Sequence, residues 1–159
     1  MQRYSSSAAG ICLRGLTSAD FPCLADLWVE SWREAMPCID FAARRPWFLA
    51  RLRNLEASGA ITVCAVNVQD SIIGFVTVDP STAYLDQLAV APSVKGTGTA
   101  LLLLNEARRL SPQGVILDVN QDNARALAFY EREGFERIAE GINPLSGLKT
   151  WRLRWPVSL

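Results

Sequence analysis

Apolar residues along the chain keep two rhythms, and each change of rhythm marks a change of element. "ICLRGLT" alternates as a short first strand. Thr17 with Asp20 three residues later has the form of a capping box. Phe21, Leu24, Trp28, Trp32 and Ala35 then recur at helical spacing until Pro37, which has no amide proton to continue the ladder. Phe48, Leu52 and Leu55 mark the inner face of a second helix, closed by Gly59. "AITVCAV" and "SIIGFVTV", joined by the polar "NVQD", predict an antiparallel hairpin. "AYLDQLAV" is apolar on both parities, as a central strand requires. Beyond "APSVKGTG", Ala100, Leu103, Leu104, Ala107 and Leu110 form the buried stripe of a third helix. "GVILDV" is a further buried strand, and Asp122 or Asn123 caps a helix ending near Glu133 and Gly134. "FERIAE" and "KTWRLRW" close the chain as two strands around the turn-forming "GINPLSG".

The predicted order is β-α-α-β-β-β-α-β-α-β-β, a mixed α/β sheet in which strands four and five are joined through a helix and run parallel between antiparallel neighbours. The chain of 159 residues, half of them apolar, has material for one substantial core, so a single domain over residues 1–159 is expected, with residues 1–9 outside its ordered part. No apolar run approaches the roughly 20 residues that span a bilayer, and "MQRYSSSAAGICLRG" lacks a signal-peptide core. A cytoplasmic protein with no membrane partner is the expectation. The closing "WRLRW" is the expected exposed edge at which two copies would pair as a homodimer.

Charge and composition narrow the chemistry. Sixteen basic and sixteen acidic residues cancel, which removes the basic excess of an obligatory nucleic-acid binder. The chain has no histidine and four cysteines without C-x-x-C spacing, excluding His-based triads and the usual zinc sites. No metal is expected. Cys12, Cys23, Cys38 and Cys64 read as small buried hydrophobes.

The stretch "SVKGTGTALLLL" is unusual for a helix start: two glycines, a lysine and no acid. Free N–H groups and the positive end of the helix dipole meet there, and Asp or Glu normally collects beside them. Either an external anion takes that place, or Gly96 and Gly98 serve only a tight strand-to-helix turn. Two familiar phosphate loops do not fit, because Leu101 replaces the third small residue of the dinucleotide fingerprint and the lysine precedes the glycines.

"LAVAPSVKGTGTALL" and, about twenty residues on, "LDVNQDNARALAFYEREGF" together resemble the GNAT superfamily of acetyl-CoA-dependent N-acetyltransferases. The first segment is similar to that family's pyrophosphate motif on strand four and helix three; the second, with Asn123, Tyr130 and "GF", to its strand five and helix four. Ser93 departs from the usual Gln or Arg of the motif. The resemblance implies acetyl-CoA as cofactor, bound by Lys95, Gly96, Thr97, Gly98, Thr99 and Ala100, with Asn123 at the start of helix four. It also implies that strands four and five splay, freeing a backbone N–H at Leu88, Ala89 or Val90 to polarise the thioester carbonyl.

The expected reaction is direct attack by a primary amine, on a small molecule or a peptide, within a ternary complex. The family pattern gives Tyr130 the role of proton donor to the departing thiolate; on the residues alone a packing aromatic beside Leu127 is the preferred reading. Asp86, an acid in an apolar strand, is the expected proton acceptor or else one half of a salt bridge, and Glu30 and Glu34 compete for the first role. Trp28, Glu30 and Trp32 on the first helix are candidates for the acceptor pocket, the two tryptophans as an aromatic wall or as packing against the sheet. The rival function is a noncatalytic acyl-CoA-binding sensor or assembly domain of the same fold. A third possibility, acetylation of an aminoacyl-tRNA, is opposed by the balanced charge.

Overall fold

A computed structural model describes residues 3–4 and 10–156 of the chain. Among them, eight strands form one sheet in the order β1-β2-β3-β4-β5-β6-β8-β7. The strands are β1 (Arg3–Tyr4), β2 (Cys12–Gly15), β3 (Ile61–Val66), β4 (Ile72–Asp79), β5 (Tyr84–Val90), β6 (Val115–Asn120), β7 (Glu136–Ile142) and β8 (Lys149–Trp155). The helices are α1 (Phe21–Ala35), α2 (Arg45–Ala57), α3 (Thr99–Leu110) and α4 (Ala124–Arg132). Apart from β1, the order is the one the apolar rhythm predicts.

Two differences concern the ends. Arg3 and Tyr4 pair with Arg14 and Leu13, so this part of the segment expected to be unordered is a strand; the rest of residues 1–9 lies outside the described residues. The expected dimer edge is also corrected: β8 pairs with β6 on one side and β7 on the other, and the outer strand is β7. A hairpin whose second strand inserts beside an earlier one leaves no trace in local periodicity.

Each face of the sheet buries its own core. Leu103, Leu104 and Ala107 of α3 and Leu127 and Tyr130 of α4 pack on Val63, Val76, Val78, Val115 and Leu153. On the other face Leu24 and Trp28 of α1 and Phe48 and Leu52 of α2 pack on Cys64, Phe75 and Ala89. Residues such as Leu103, Phe75 and Leu24 lose all contact with water, worth about 1.5–3 kcal/mol each against the entropy of ordering them. Of the four cysteines only Cys64 is buried, where burial pushes its thiol up to about 12; Cys12, Cys23 and Cys38 are exposed, against expectation.

The capping box at Thr17 is present and ties β2 to α1. The Asp20 carboxylate accepts from the Thr17 N–H at 2.8 Å and from Arg14 Nη1 and Nη2 at 2.7 and 3.0 Å. Arg14 beside it holds the Asp20 carboxyl down at about 2. No helix among the described residues is long and apolar enough to cross a membrane.

Candidate active site

β5 and β6 run parallel but pair only at Tyr84 and Ile116. Beyond that point they diverge, and a cavity of 620 Å³ opens between them, within the usual size of a ligand site. Ala91, just past β5, donates its N–H to Ile73 of β4 at 2.8 Å. Amides alternate along a strand, so the N–H of Ala89 also points to β4, while those of Leu88 and Val90 point into the opening. Of the three residues expected to free an amide, geometry favours these two.

At one end of the cavity stands the start of α3. Gly98 is its N-cap at φ 88°, Gly96 lies at φ 79°, and a Cβ on either would meet nothing within 4 Å. Both therefore need the left-handed region that glycine alone enters freely, and both leave open space above the backbone. Among the described residues no acceptor takes the N–H of Gly96, Gly98, Thr99, Ala100 or Leu101, and no side chain caps the helix. This set of unpaired donors at the positive end of a helix, with no Cβ in the way, fits a diphosphate. Lys95, Gly96, Gly98 and Ala100 line the cavity. Thr97 and Thr99 do not; their hydroxyls meet each other at 2.9 Å and brace the turn. Lys95 pairs with Glu34 of α1 at 3.5 Å, and Ser93 is exposed and away from the cavity.

α4 forms the next wall. Asn123 caps it, accepting from the Ala126 N–H at 3.2 Å, and lines the cavity as well. Tyr130 lies 8% exposed, its ring 5.1 and 5.3 Å from those of Phe129 and Phe135. Its hydroxyl has no hydrogen-bond partner among the described residues, and burial raises the phenol well above its usual range. Arg125 and Arg132, seven residues apart on α4, also reach the cavity. Sequence reasoning missed both.

At the other end the cavity meets the α1–α2 face. A bulge in the β4–β5 register leaves Asp86 without a partner opposite it and turns it toward α2, where both of its oxygens are bound by Arg51 and one also by Gln87. Asp86 is thus half of an ion pair, the alternative that the sequence left open. Across the opening, Leu117 and Val119 belong to the α3–α4 core, so Asp118 between them faces the same side as Asp86. Asp118 accepts from Arg152 Nε and Nη2 at 3.0 and 3.1 Å and from the Tyr84 hydroxyl at 2.7 Å. Burial works to raise the Asp118 carboxyl, but the Arg152 and Tyr84 bonds outweigh it and hold it below the usual range. Burial and this same bond to Asp118 raise the Tyr84 phenol. Asp118 was not singled out from the sequence, although an acid inside "GVILDV" carries the same signal as the one inside "AYLDQLAV".

The expected aromatic wall is halved. Trp32 lines the cavity and stacks on Phe41 at 5.6 Å, whereas Trp28 is 3% exposed and stacked on Phe48 at 4.8 Å in the core. Glu30 is exposed on α1 and does not line the cavity. Trp28 and Glu30 are accordingly corrected to core and surface residues.

Known proteins share this fold. The sequence pattern described as the acetyltransferase (GNAT) family matches residues 21–135. A peptidyl-lysine N-acetyltransferase of Escherichia coli, YiaC, is 25% identical, with 91% of this chain and 97% of that protein covered. Among solved structures, the PaiA N-acetyltransferase of Thermoplasma acidophilum in complex with coenzyme A superposes with a TM-score of 0.75 at 17% identity, over 91% of this chain and 97% of that one. A spermidine N-acetyltransferase of Vibrio cholerae gives 0.66 at 18% identity, over 92% and 93%. At these identities the structural likeness is one of fold.

Proposed function

Because the chain belongs to the acetyltransferase (GNAT) family and is an N-acetyltransferase using acetyl-CoA, we propose that the amine it acetylates is a lysine side chain within a polypeptide. One observation carries this choice of acceptor: charge at the acceptor end of the cavity is matched. Asp86 is paired with Arg51 and Asp118 with Arg152. A polyamine brings several positive charges and calls for a surplus of carboxylates, whereas a lysine in a peptide brings one. The name of the Escherichia coli relative agrees with this reading. A cytoplasmic setting belongs to the same proposal, and the absence of a nucleic-acid requirement is supported by the balanced net charge.

When bound, acetyl-CoA supplies an acetyl thioester between β5 and β6. The free amides of Gly96, Gly98, Thr99, Ala100 and Leu101 would hold its diphosphate, with Asn123 and the basic residues of α4 beside it. The N–H groups of Leu88 and Val90 are fixed donors for the carbonyl oxygen as it gains charge. Tyr130 keeps its proton at any ordinary pH and offers it as a hydrogen bond to the leaving sulfur. Trp32 covers the acceptor side.

Asp86 and Asp118 orient the incoming ammonium. A bare carboxylate would hold that ammonium charged, yet the nucleophile must be the neutral amine. Arg51 and Arg152 offset this, so the amine can lose its proton to water at the open acceptor end. The test compares acetylation of a lysine peptide with that of spermidine by release of CoA thiol. A kcat/KM at least about tenfold higher for the peptide, about 1.4 kcal/mol in transition-state terms, is expected. Equal or reversed values would overturn the acceptor assignment while leaving acetyl transfer in place.

A further inference from the structure

A second groove, of about 430 Å³, runs along the outer face of α2 between Trp47, Arg51, Asn54 and Ser58. It is separate from the catalytic cavity and adjoins it where Arg51 meets Asp86, a residue that lines that cavity. The Arg51 side chain forms one wall of the groove and at the same time binds Asp86 with Nε and Nη2. A guanidinium presents five N–H donors in a fixed fork. Nε and Nη2 hold Asp86, and Nη1 has no partner among the described residues, although the side chain is 43% exposed. Trp47, 39% exposed, lays its ring 6.0 Å from the same guanidinium. Of the basic residues of the helix beneath, Arg51 lines the groove, while Arg45 pairs with Asp26 and Arg53 lies over Phe21. The groove thus has an apolar floor, a basic wall with spare donors, and a position against the Asp86 side of the catalytic cavity.

We infer that this groove holds the acceptor polypeptide on one side of its reactive lysine, with Arg51 Nη1 pairing to an acidic side chain of that polypeptide. The inference rests on the peptidyl-lysine reading above and adds a preference within it: a lysine with an Asp or Glu one to three residues away. Arg51 does not have to release Asp86, since the fork that holds the aspartate and the nitrogen that meets the substrate are different atoms. Trp47 supplies surface for the neighbouring aliphatic part of the chain.

The experiment is steady-state acetylation, read as CoA thiol release, with three peptides of one sequence. One carries glutamate two residues before the lysine, one carries it two residues after, and one has glutamine at both places. One of the glutamate peptides should exceed the glutamine peptide in kcat/KM by about fivefold, through KM, the scale of an exposed ion pair. The preference should fall toward one at about 0.5 M salt. It should also fall in Asn54→Glu, which puts a like charge in the groove without touching Asp86 or the core. Equal rates for the glutamate and glutamine peptides would overturn the inference and leave the peptidyl-lysine reading standing. So would a preference that survives both salt and Asn54→Glu. If no lysine peptide is acetylated while another amine still releases CoA, the reading beneath it falls and takes the inference with it.

Discussion

Replacing Tyr130 by phenylalanine removes one oxygen from the wall of the cavity and nothing else. The ring keeps its contacts with Phe129 and Phe135, and the hydroxyl has no protein partner to lose. Folding should therefore be unchanged within about 0.5 kcal/mol, since a buried hydroxyl without a partner contributes little or opposes burial. The loss should appear in turnover. The phenol's raised pKa makes it a poor full proton donor to a thiolate near 8.5, but keeps it protonated and so available as a neutral hydrogen-bond donor to a sulfur acquiring charge. A hydrogen bond to a charged group is worth about 1.5–3 kcal/mol, so kcat should drop roughly 10- to 150-fold. The assay pairs kcat for CoA release on a lysine peptide with calorimetric CoA affinity and a thermal melt. The account requires a lower kcat, CoA affinity within about twofold of wild type, and an unmoved melt. Turnover within about threefold of wild type, or turnover and CoA affinity falling together, would refute the role given to this hydroxyl.

Gly98→Ala places a methyl group above the free amides and holds alanine in the left-handed region, at a cost of about 1–2 kcal/mol; the melting temperature should fall by about 2–8 °C and CoA affinity by more than about fivefold, and a lower melt with unchanged affinity would remove Gly98 from the anion cradle. The Asp20 carboxyl, held at about 2 against an ordinary 3.8, contributes about 2 kcal/mol of stability that is complete above about pH 4 and is lost as pH falls toward 2. Asp20→Asn should lower stability in urea by about 2–4 kcal/mol at pH 7, with the gap to wild type narrowing below pH 4; a gap independent of pH would show that the Arg14 pair is not its source.

What the sequence carried, and what it hid, follows from the range of the interactions involved. The rhythm of Leu103, Leu104 and Ala107, the cap at Asn123 and the box at Thr17 are local, and they stand where the spacing placed them. The Gly96–Gly98 turn was legible because positive φ leaves few other residues a choice. Trp28 and Trp32, one helical turn apart, share a face only to within about 40°, enough to leave one in the core and bring the other to the cavity. The bulge that turns Asp86 toward Arg51 depends on how β5 pairs with β4, which no pattern within "AYLDQLAV" encodes. Arg152 reaches Asp118 only because β8 lies between β6 and β7, an order set by the closing of the whole sheet. The exposure of Cys12, Cys23 and Cys38 follows from where their short segments meet the surface, which composition does not fix.

The claim beneath all of these is that a diphosphate rests on main-chain amides at the start of α3. Titration of the isotope-labelled protein with CoA, followed through backbone amide resonances, tests it directly. The N–H signals of Gly96, Gly98, Thr99, Ala100 and Leu101 should shift furthest downfield and saturate together with the rest of the site. Saturation by CoA with those five signals unmoved would contradict it.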